Sequence, residues 1–322
     1  LFSFVSAWAN SSLPYRKPIT ITSSTALTDY QIKLNISYSS NIQSDFDDIR
    51  FYDENDNKLS YWLEDKSDGN WAIVWVKVPS IANGNTTIYM YYGNSTAVSE
   101  SDGDATFILF DDFDGTTLNT TKWIVKHYDG SGSVSVQNGW VRVDSSGYGD
   151  FWYNSDGGSG IFTPTPASGD YVFETIFRQY SYPSSLGTNR QVMFRKNVDA
   201  ANSMFFGTIF DGDSSHLTTV WRTSNGGSAD WAGDNTGMPR GSATTMYVRL
   251  IKSGTNYLIY GSVDGISWTH IYTRTEDYNG YVGLVDSLHD GYTEFEKAIT
   301  RKYSSSEPTS TFGEEEAYIV DL

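Results

Sequence analysis

One feature constrains the fold of this chain more than any other. From Lys17 almost to Tyr303, short runs alternate apolar and polar residues with a period of two, and turn residues punctuate them. Lys17 to Thr22, Tyr30 to Ile36, Asp48 to Tyr52, Leu59 to Leu63, Trp71 to Val78 and Thr87 to Tyr92 follow this pattern in the first third. Val134 to Val143, Tyr171 to Gln179, Gln191 to Lys196, Met204 to Phe210 and His216 to Arg222 continue it. Thr245 to Lys252, Asn256 to Val263, Ser267 to Thr273, Gly280 to Asp286 and Thr293 to Arg301 complete it. No run has helical spacing, so a period-two chain buries one face of each strand and must stack sheets. The expectation is an all-β protein of two antiparallel β-sandwich domains, with strand-like tails at both ends.

The chain divides on composition. Residues 1–13 read as an N-terminal apolar strand or a leader remnant, and residues 14–98 as a first sandwich. The polar stretch 99–105 reads as a linker, 106–303 as a larger sandwich, and 304–322 as an acidic tail with a terminal strand. At the N-terminus, Ala7-Trp8-Ala9 fits the small-x-small pattern of signal cleavage. Retained, the same stretch places Phe2, Phe4 and Trp8 on one face of a strand, with Leu1, Val5, Ala7 and Ala9 on the other.

Charge and composition exclude some partners. With 22 Lys+Arg against 39 Asp+Glu the chain carries a net charge of -17, which disfavours nucleic acid. The absence of cysteine removes disulfides, thiolate nucleophiles and cysteine-held metals. No apolar run is long enough for a membrane-spanning helix. Five N-x-[ST] sequons, at Asn10, Asn35, Asn85, Asn94 and Asn119, all fall in the first 119 residues and point to an exported glycoprotein on the cell surface or outside it.

Two resemblances add to this reading. Tyr15-Arg16-Lys17-Pro18-Ile19, Asp45 to Phe51, Leu59 to Glu64, Val74 to Pro79 and Ile88 to Asn94 resemble a domain of unknown function from archaeal and bacterial cell-surface proteins. Phe110-Asp111-Asp112-Phe113-Asp114-Gly115, Leu118, Lys122-Trp123, Asn138-Gly139, Arg249-Leu250, Asp264 to Trp268 and Val282-Gly283-Leu284 resemble a concanavalin A-like lectin/glucanase (laminin-G-like) sandwich. That resemblance implies a jelly roll for 106–303, and structural calcium near the chain's entry at Asp111, Asp112 and Asp114. Asp211 and Asp213 form a second oxygen-rich cluster.

Catalysis finds little support. Hydrolytic members of that class line one strand with three acids, whereas Glu294-Phe295-Glu296 offers two and Glu174 stands alone. This pair is expected to face solvent on an outer strand. Gly212-Asp213-Ser214 lacks the strand-to-helix turn of an esterase nucleophile, and His127, His216, His270 and His289 have no ligand spacing. The chain is therefore expected to be no enzyme and to need no cofactor beyond calcium.

Two functions remain. The first is a structural subunit of a pilus-like extracellular filament: Phe2, Phe4, Val5 and Trp8 enter the next copy as a donor strand and build a head-to-tail homopolymer. The second is a monomeric carbohydrate-binding adhesin that stacks surface glycans on exposed rings such as Trp152, Trp221, Trp231 and Trp268.

Overall fold

The computed structural model describes residues 8–128, 132–145, 157–165, 168–181, 190–200, 203–210, 216–225, 229–232, 237–287 and 291–318. The chain folds into two all-β units: residues 1–108 with 304–322, and residues 109–303.

In the first unit the strands are β1 (Tyr15–Ser23), β2 (Leu27–Ser37), β3 (Arg50–Asp53), β4 (Lys58–Leu59), β5 (Tyr61–Ser67), β6 (Trp71–Ile81) and β7 (Gly84–Tyr92), then a single helical turn α1 (Gly103–Thr106). The second unit contributes β8 (Leu109–Asp111), β9 (Ile124–His127), β10 (Ser133–Gln137), β11 (Trp140–Asp144), β12 (Ser159–Phe162), β13 (Tyr171–Ser181), β14 (Arg190–Arg195), β15 (Phe205–Phe210) and β16 (His216–Arg222). It continues with β17 (Asp230–Trp231), β18 (Met238–Pro239), β19 (Thr245–Ser253), β20 (Asn256–Ser262), β21 (Thr269–Thr275), β22 (Tyr281–Asp286) and β23 (Gly291–Lys302). The chain then re-enters the first unit as β24 (Thr309–Phe312) and β25 (Glu316–Ala317).

The first unit stacks a sheet of order β24-β1-β7-β3-β4, with β25 also on β1, against a three-stranded sheet β2-β6-β5. Alternation does the work. In β2, Leu34 and Ile36 are buried while Lys33, Asn35 and Ser37 are exposed. Ile19, Ile21, Ile88 and Met90 of the larger sheet meet Ile32, Leu34, Val74 and Val76 of the smaller in one cluster, each at most 4% exposed.

Two stretches depart from the expected boundaries. Residues 99–105 are bonded to the first unit along their length, not strung between units. Asp102 N–H donates to Tyr61 O at 2.8 Å, Leu63 N–H to Ser101 Oγ at 2.8 Å, and Glu100 pairs with Arg50 at 3.0 Å. Phe107 then closes edge-on to both Trp62 (5.7 Å) and Trp75 (5.8 Å). The acidic tail is likewise no free end. β24 pairs β1 from Ile19↔Phe312 to Thr22↔Thr309, so it caps an edge that would otherwise expose unpaired backbone.

The second unit is a sandwich of two antiparallel eight-stranded sheets. One has the order β10-β11-β23-β13-β19-β20-β21 with β8 also on β23; the other runs β17-β16-β15-β14-β22-β12-β9 with β18 on β16. Val141, Phe173, Phe177, Val248, Ile259 and Phe295 of the first meet Ile161, Val192, Phe194, Phe206, Leu217 and Leu284 of the second. Val134 to Val143 is a hairpin, not the single strand its alternation suggests. Asn138 (φ 54°) and Gly139 (φ 76°) both occupy the left-handed region that a two-residue turn demands.

Candidate functional site

Residues that alternate with this core point away from it, and on the β23 sheet they assemble a charged, aromatic face. Cross-strand register sets Arg142 of β11 opposite Glu294 of β23, and Arg178 of β13 opposite the same Glu294. Arg142 donates to Glu294 Oε1 from Nε at 3.0 Å and from Nη2 at 2.7 Å, and Arg178 Nε donates to Oε2 at 2.7 Å. The carboxylate is 3% exposed, while the two arginine side chains keep 31% and 34% of their surface. Each guanidinium also stacks on a ring: Arg178 lies 3.9 Å from the centre of Trp140, and Arg142 3.6 Å from Tyr292.

The motif repeats further along β13. Glu174 accepts from Arg249 of β19 at 2.8 Å and from Arg301 of β23 at 3.3 Å, and Arg249 lies 4.0 Å from the centre of Trp268. Trp268 is delivered by the turn before β21. There Asp264 Oδ1 accepts the amides of Ile266 and Ser267 at 2.8 Å each, Gly265 adopts φ 70°, and Ser262 Oγ donates at 2.8 Å. These bonds favour the charged carboxylate and pull Asp264 down to about 2, the amide of Ser267 contributing most. Trp140, Tyr292, Trp268, Tyr247 and Tyr260 remain partly exposed on this face. Guanidinium forks held by the buried Glu294 and the half-buried Glu174, beside partly open rings, can grip a ligand with little loss of side-chain freedom.

A second polar cluster lies on the other sheet. Register aligns His127 of β9, Ser159 of β12 and Asp286 of β22 in one row. His127 Nδ1 and Ser159 Oγ are 2.8 Å apart, and Asp286 accepts from Thr293 Oγ1 at 2.7 Å and from Ser145 N–H at 3.2 Å. Burial pushes the Asp286 carboxyl up to about 7, against the opposing pull of those hydrogen bonds. The packing is tight. A Cβ on Gly132 would stand 2.2 Å from Ser159 Oγ and 2.5 Å from Asp144 O. Ser159 and Asp286 are both fully buried, and the serine sits between the other two. Asp286 therefore does not orient His127 as a relay would, and the row is a structural plug in the sandwich.

The residues singled out in the sequence land as follows. Asp111 is a structural latch: Oδ1 accepts Phe113 N–H at 3.0 Å and Oδ2 accepts Trp123 Nε1–H at 2.7 Å. Trp123 is 1% exposed, so the Phe110 to Gly115 motif and Lys122-Trp123 are joined by packing. Asp112 is raised above the usual carboxylate range, by burial first and by Asp114 next. Among the described residues no three acidic or imidazole groups converge as a metal cage. Asp211 and Asp213 lie outside the described residues.

Trp221 is core, 9% exposed and stacked on Tyr272 at 5.1 Å, which corrects its expected role as a sugar platform. Trp152 and the side chain of Trp231 lie outside the described residues. Glu294 is no solvent-facing partner of Glu296. A β-bulge sets Ile176↔Lys297 beside Phe177↔Phe295 and leaves Glu296 without a register partner.

Trp8 packs on its own unit rather than projecting as a donor. Its ring meets Tyr91 edge-on at 5.3 Å, lies 4.6 Å from the Arg16 guanidinium, and its Nε1–H donates to Leu13 O at 3.0 Å. Phe2, Phe4 and Val5 lie outside the described residues. Of the sequon asparagines, Asn35, Asn85 and Asn119 are exposed, and Asn10 and Asn94 are half-buried. In three of them the Asn Oδ1 accepts the hydroxyl two residues on: Ser12 at 2.6 Å, Thr96 at 2.9 Å and Thr121 at 2.7 Å.

The arginines of the charged face, with Trp140 and Tyr292, escaped sequence reasoning. The available signal was Trp140-Val-Arg142-Val-Asp144, whose buried valines aim the tryptophan and arginine away from the core.

Comparison with known proteins gives a partial match. A family model described as a domain of unknown function (DUF2341) matches residues 45–126. The Uncharacterized protein MJ1472 of Methanocaldococcus jannaschii is 29% identical over 137 residues, which cover 40% of this chain and 22% of that protein. The chain thus spans about a fifth of the length of that curated relative. Similar solved structures include the GH43 BlXynB protein from Bacillus licheniformis (TM-score 0.45, 15% identity, 77% of this chain and 46% of that one). They also include carbohydrate binding module CBM66 from Bacillus subtilis (TM-score 0.39, 16% identity, 58% and 98%) and a functionally unknown protein from Saccharomyces cerevisiae (TM-score 0.39, 16% identity, 65% and 100%). The likeness to concanavalin A-like sandwiches rests on the sequence motifs alone.

Proposed function

We propose that the chain is a non-catalytic carbohydrate-binding module of an exported or surface protein, and that it binds glycans on the outer face of the β23 sheet. One observation carries this reading: two Arg–Glu–Arg bridges on adjoining strands, each stacked against a partly exposed tryptophan, Trp140 or Trp268. A sugar ring offers an apolar face to an aromatic ring and hydroxyls to forked donors, and this face supplies both. Glu174 and Glu294, the strand carboxylates that a hydrolase would use, are held in ion pairs, which supports binding without hydrolysis. The first unit favours this reading over a filament subunit, because its own β24 occupies the edge of β1.

The test is titration of a panel of polysaccharides against intrinsic tryptophan fluorescence. Trp140→Ala and Trp268→Ala are each expected to weaken binding about tenfold or more while circular dichroism stays unchanged, since both rings lie outside the core cluster. Failure of every glycan to bind, or binding indifferent to both substitutions, overturns the reading.

A further inference from the structure

Resting on the carbohydrate-binding reading, we infer that this face takes a polysaccharide carrying carboxylates along its chain rather than a neutral one. The molecule as a whole is acidic, at a net charge of -17, and repels such a ligand almost everywhere. The outer face of the β23 sheet departs from that. Arg142, Arg178, Arg249, Arg301 and Lys297 stand there against Glu174, Glu294 and Asp144, with Glu296 displaced at the bulge.

Depth sharpens the contrast. Each bridge sets two guanidiniums against one carboxylate. At the first bridge the carboxylate is sealed at 3% exposure while its arginines show 31% and 34%. At the second, Glu174 is 16% exposed and Arg249 25%. At the first bridge the anion lies beneath both cations; at the second Arg249 is the outer cation, and Arg301, 4% exposed, is buried with the carboxylate. A planar guanidinium matches a carboxylate in two parallel hydrogen bonds, a fit that an ammonium does not offer.

Spacing argues for a polymer. Glu174 and Arg178 are four residues apart on β13, so the two bridges lie roughly 13 Å apart along the strand. That exceeds one sugar ring, and a chain with repeated carboxylates engages both bridges at once, each raising the effective concentration of the next contact.

The experiment measures affinity of the full chain for polygalacturonate, for its carboxyl-reduced neutral form, and for dextran sulfate. Polygalacturonate is expected to bind at least tenfold tighter than the reduced form at low salt, with the advantage shrinking by about 0.5 M salt as charges are screened. Arg142→Gln leaves Glu294 paired with Arg178, and Arg249→Gln leaves Glu174 with Arg301, so both variants keep a neutralised carboxylate. Each is expected to lose about tenfold in polygalacturonate affinity at an unchanged melting temperature and to lose clearly less for the reduced form, whose hydroxyls give up one donor but no charge pair. Equal losses for the two forms overturn the acidic-ligand inference. Equal binding of the reduced form, abolished by Trp140→Ala, overturns the acidic-ligand inference and leaves the module reading standing. Preference for dextran sulfate over polygalacturonate overturns the assignment to carboxylates. Absence of binding to any glycan overturns both.

Discussion

Replacing Asp286 by asparagine is expected to flatten the pH dependence of the second unit's stability. Asp286 is fully buried and its carboxyl is pushed up to about 7, burial being the dominant cause. A group whose folded-state pKa lies above its unfolded value binds protons more tightly when folded, so its contribution is complete at low pH and is lost as pH rises. The loss begins near the unfolded carboxylate value of about 4 and ends once pH has passed about 7. Between pH 5 and pH 8 this amounts to roughly 2–3 kcal/mol for the native chain. Asparagine mimics the protonated acid, with its Oδ1 facing Ser145 N–H and its Nδ2 facing Thr293 Oγ1, the two groups that Asp286 now bonds. Urea unfolding of both proteins at pH 5 and pH 8 checks this. The variant should match the native chain at pH 5 within about 1 kcal/mol and exceed it clearly at pH 8. Parallel pH curves for the two would mean that Asp286 does not titrate in this range.

The strands were legible in the sequence because one buried face enforces a period of two, and this period survives wherever a strand packs on a core. His216–Arg222 is the clearest case, its observed ends coinciding with the expected ones. The Val134 to Val143 hairpin was misjudged because alternation runs through the turn without a break, although Asn138-Gly139 is itself a hairpin signal. β24 was invisible for a different reason. Most of its residues are exposed, so edge pairing holds it and hydrophobic pattern contributes little. The charged face was less legible still. Glu294 stands 152 positions from Arg142 and 116 from Arg178, and only strand order brings the three together. Glu294 read as half of a solvent-facing pair with Glu296, and Glu174 as a lone acid, because nothing local in a sequence marks a carboxylate that will be claimed by two distant arginines. The Asp264 turn, in contrast, is local: the side chain bonds amides two and three residues on, and the Asp-Gly pair announces it.

Ending the chain at Tyr303 should destabilise the first unit selectively, by roughly 3–5 kcal/mol, although the excised residues lie more than 200 positions from most of their partners. The tail contributes little apolar burial; its effect comes from polar contacts. It supplies the β24 ladder to β1, and the bonds Gly313 N–H to Pro18 O and Tyr318 N–H to Pro14 O, each at 2.8 Å. Three carboxylates go with it. Glu316 pairs with Arg16 at 2.7 Å, Glu315 accepts from Tyr92 at 2.7 Å, and Glu307 accepts from Tyr30. Arg16 and the two tyrosines are buried, so losing a charged partner there costs more than losing an exposed ion pair. Solvent at Glu316, 45% exposed, reduces that term and keeps the total near the lower end. Two unfolding transitions, one per unit, should separate in denaturant, with the first moving and the second fixed. Truncation also uncovers the β1 edge, a row of unpaired backbone groups that invites pairing with another chain. The shortened protein is therefore expected to sediment as larger species than the full chain at the same concentration. A truncated chain that unfolds at the same denaturant concentration and sediments as the full chain does would show that the first sheet is complete without β24.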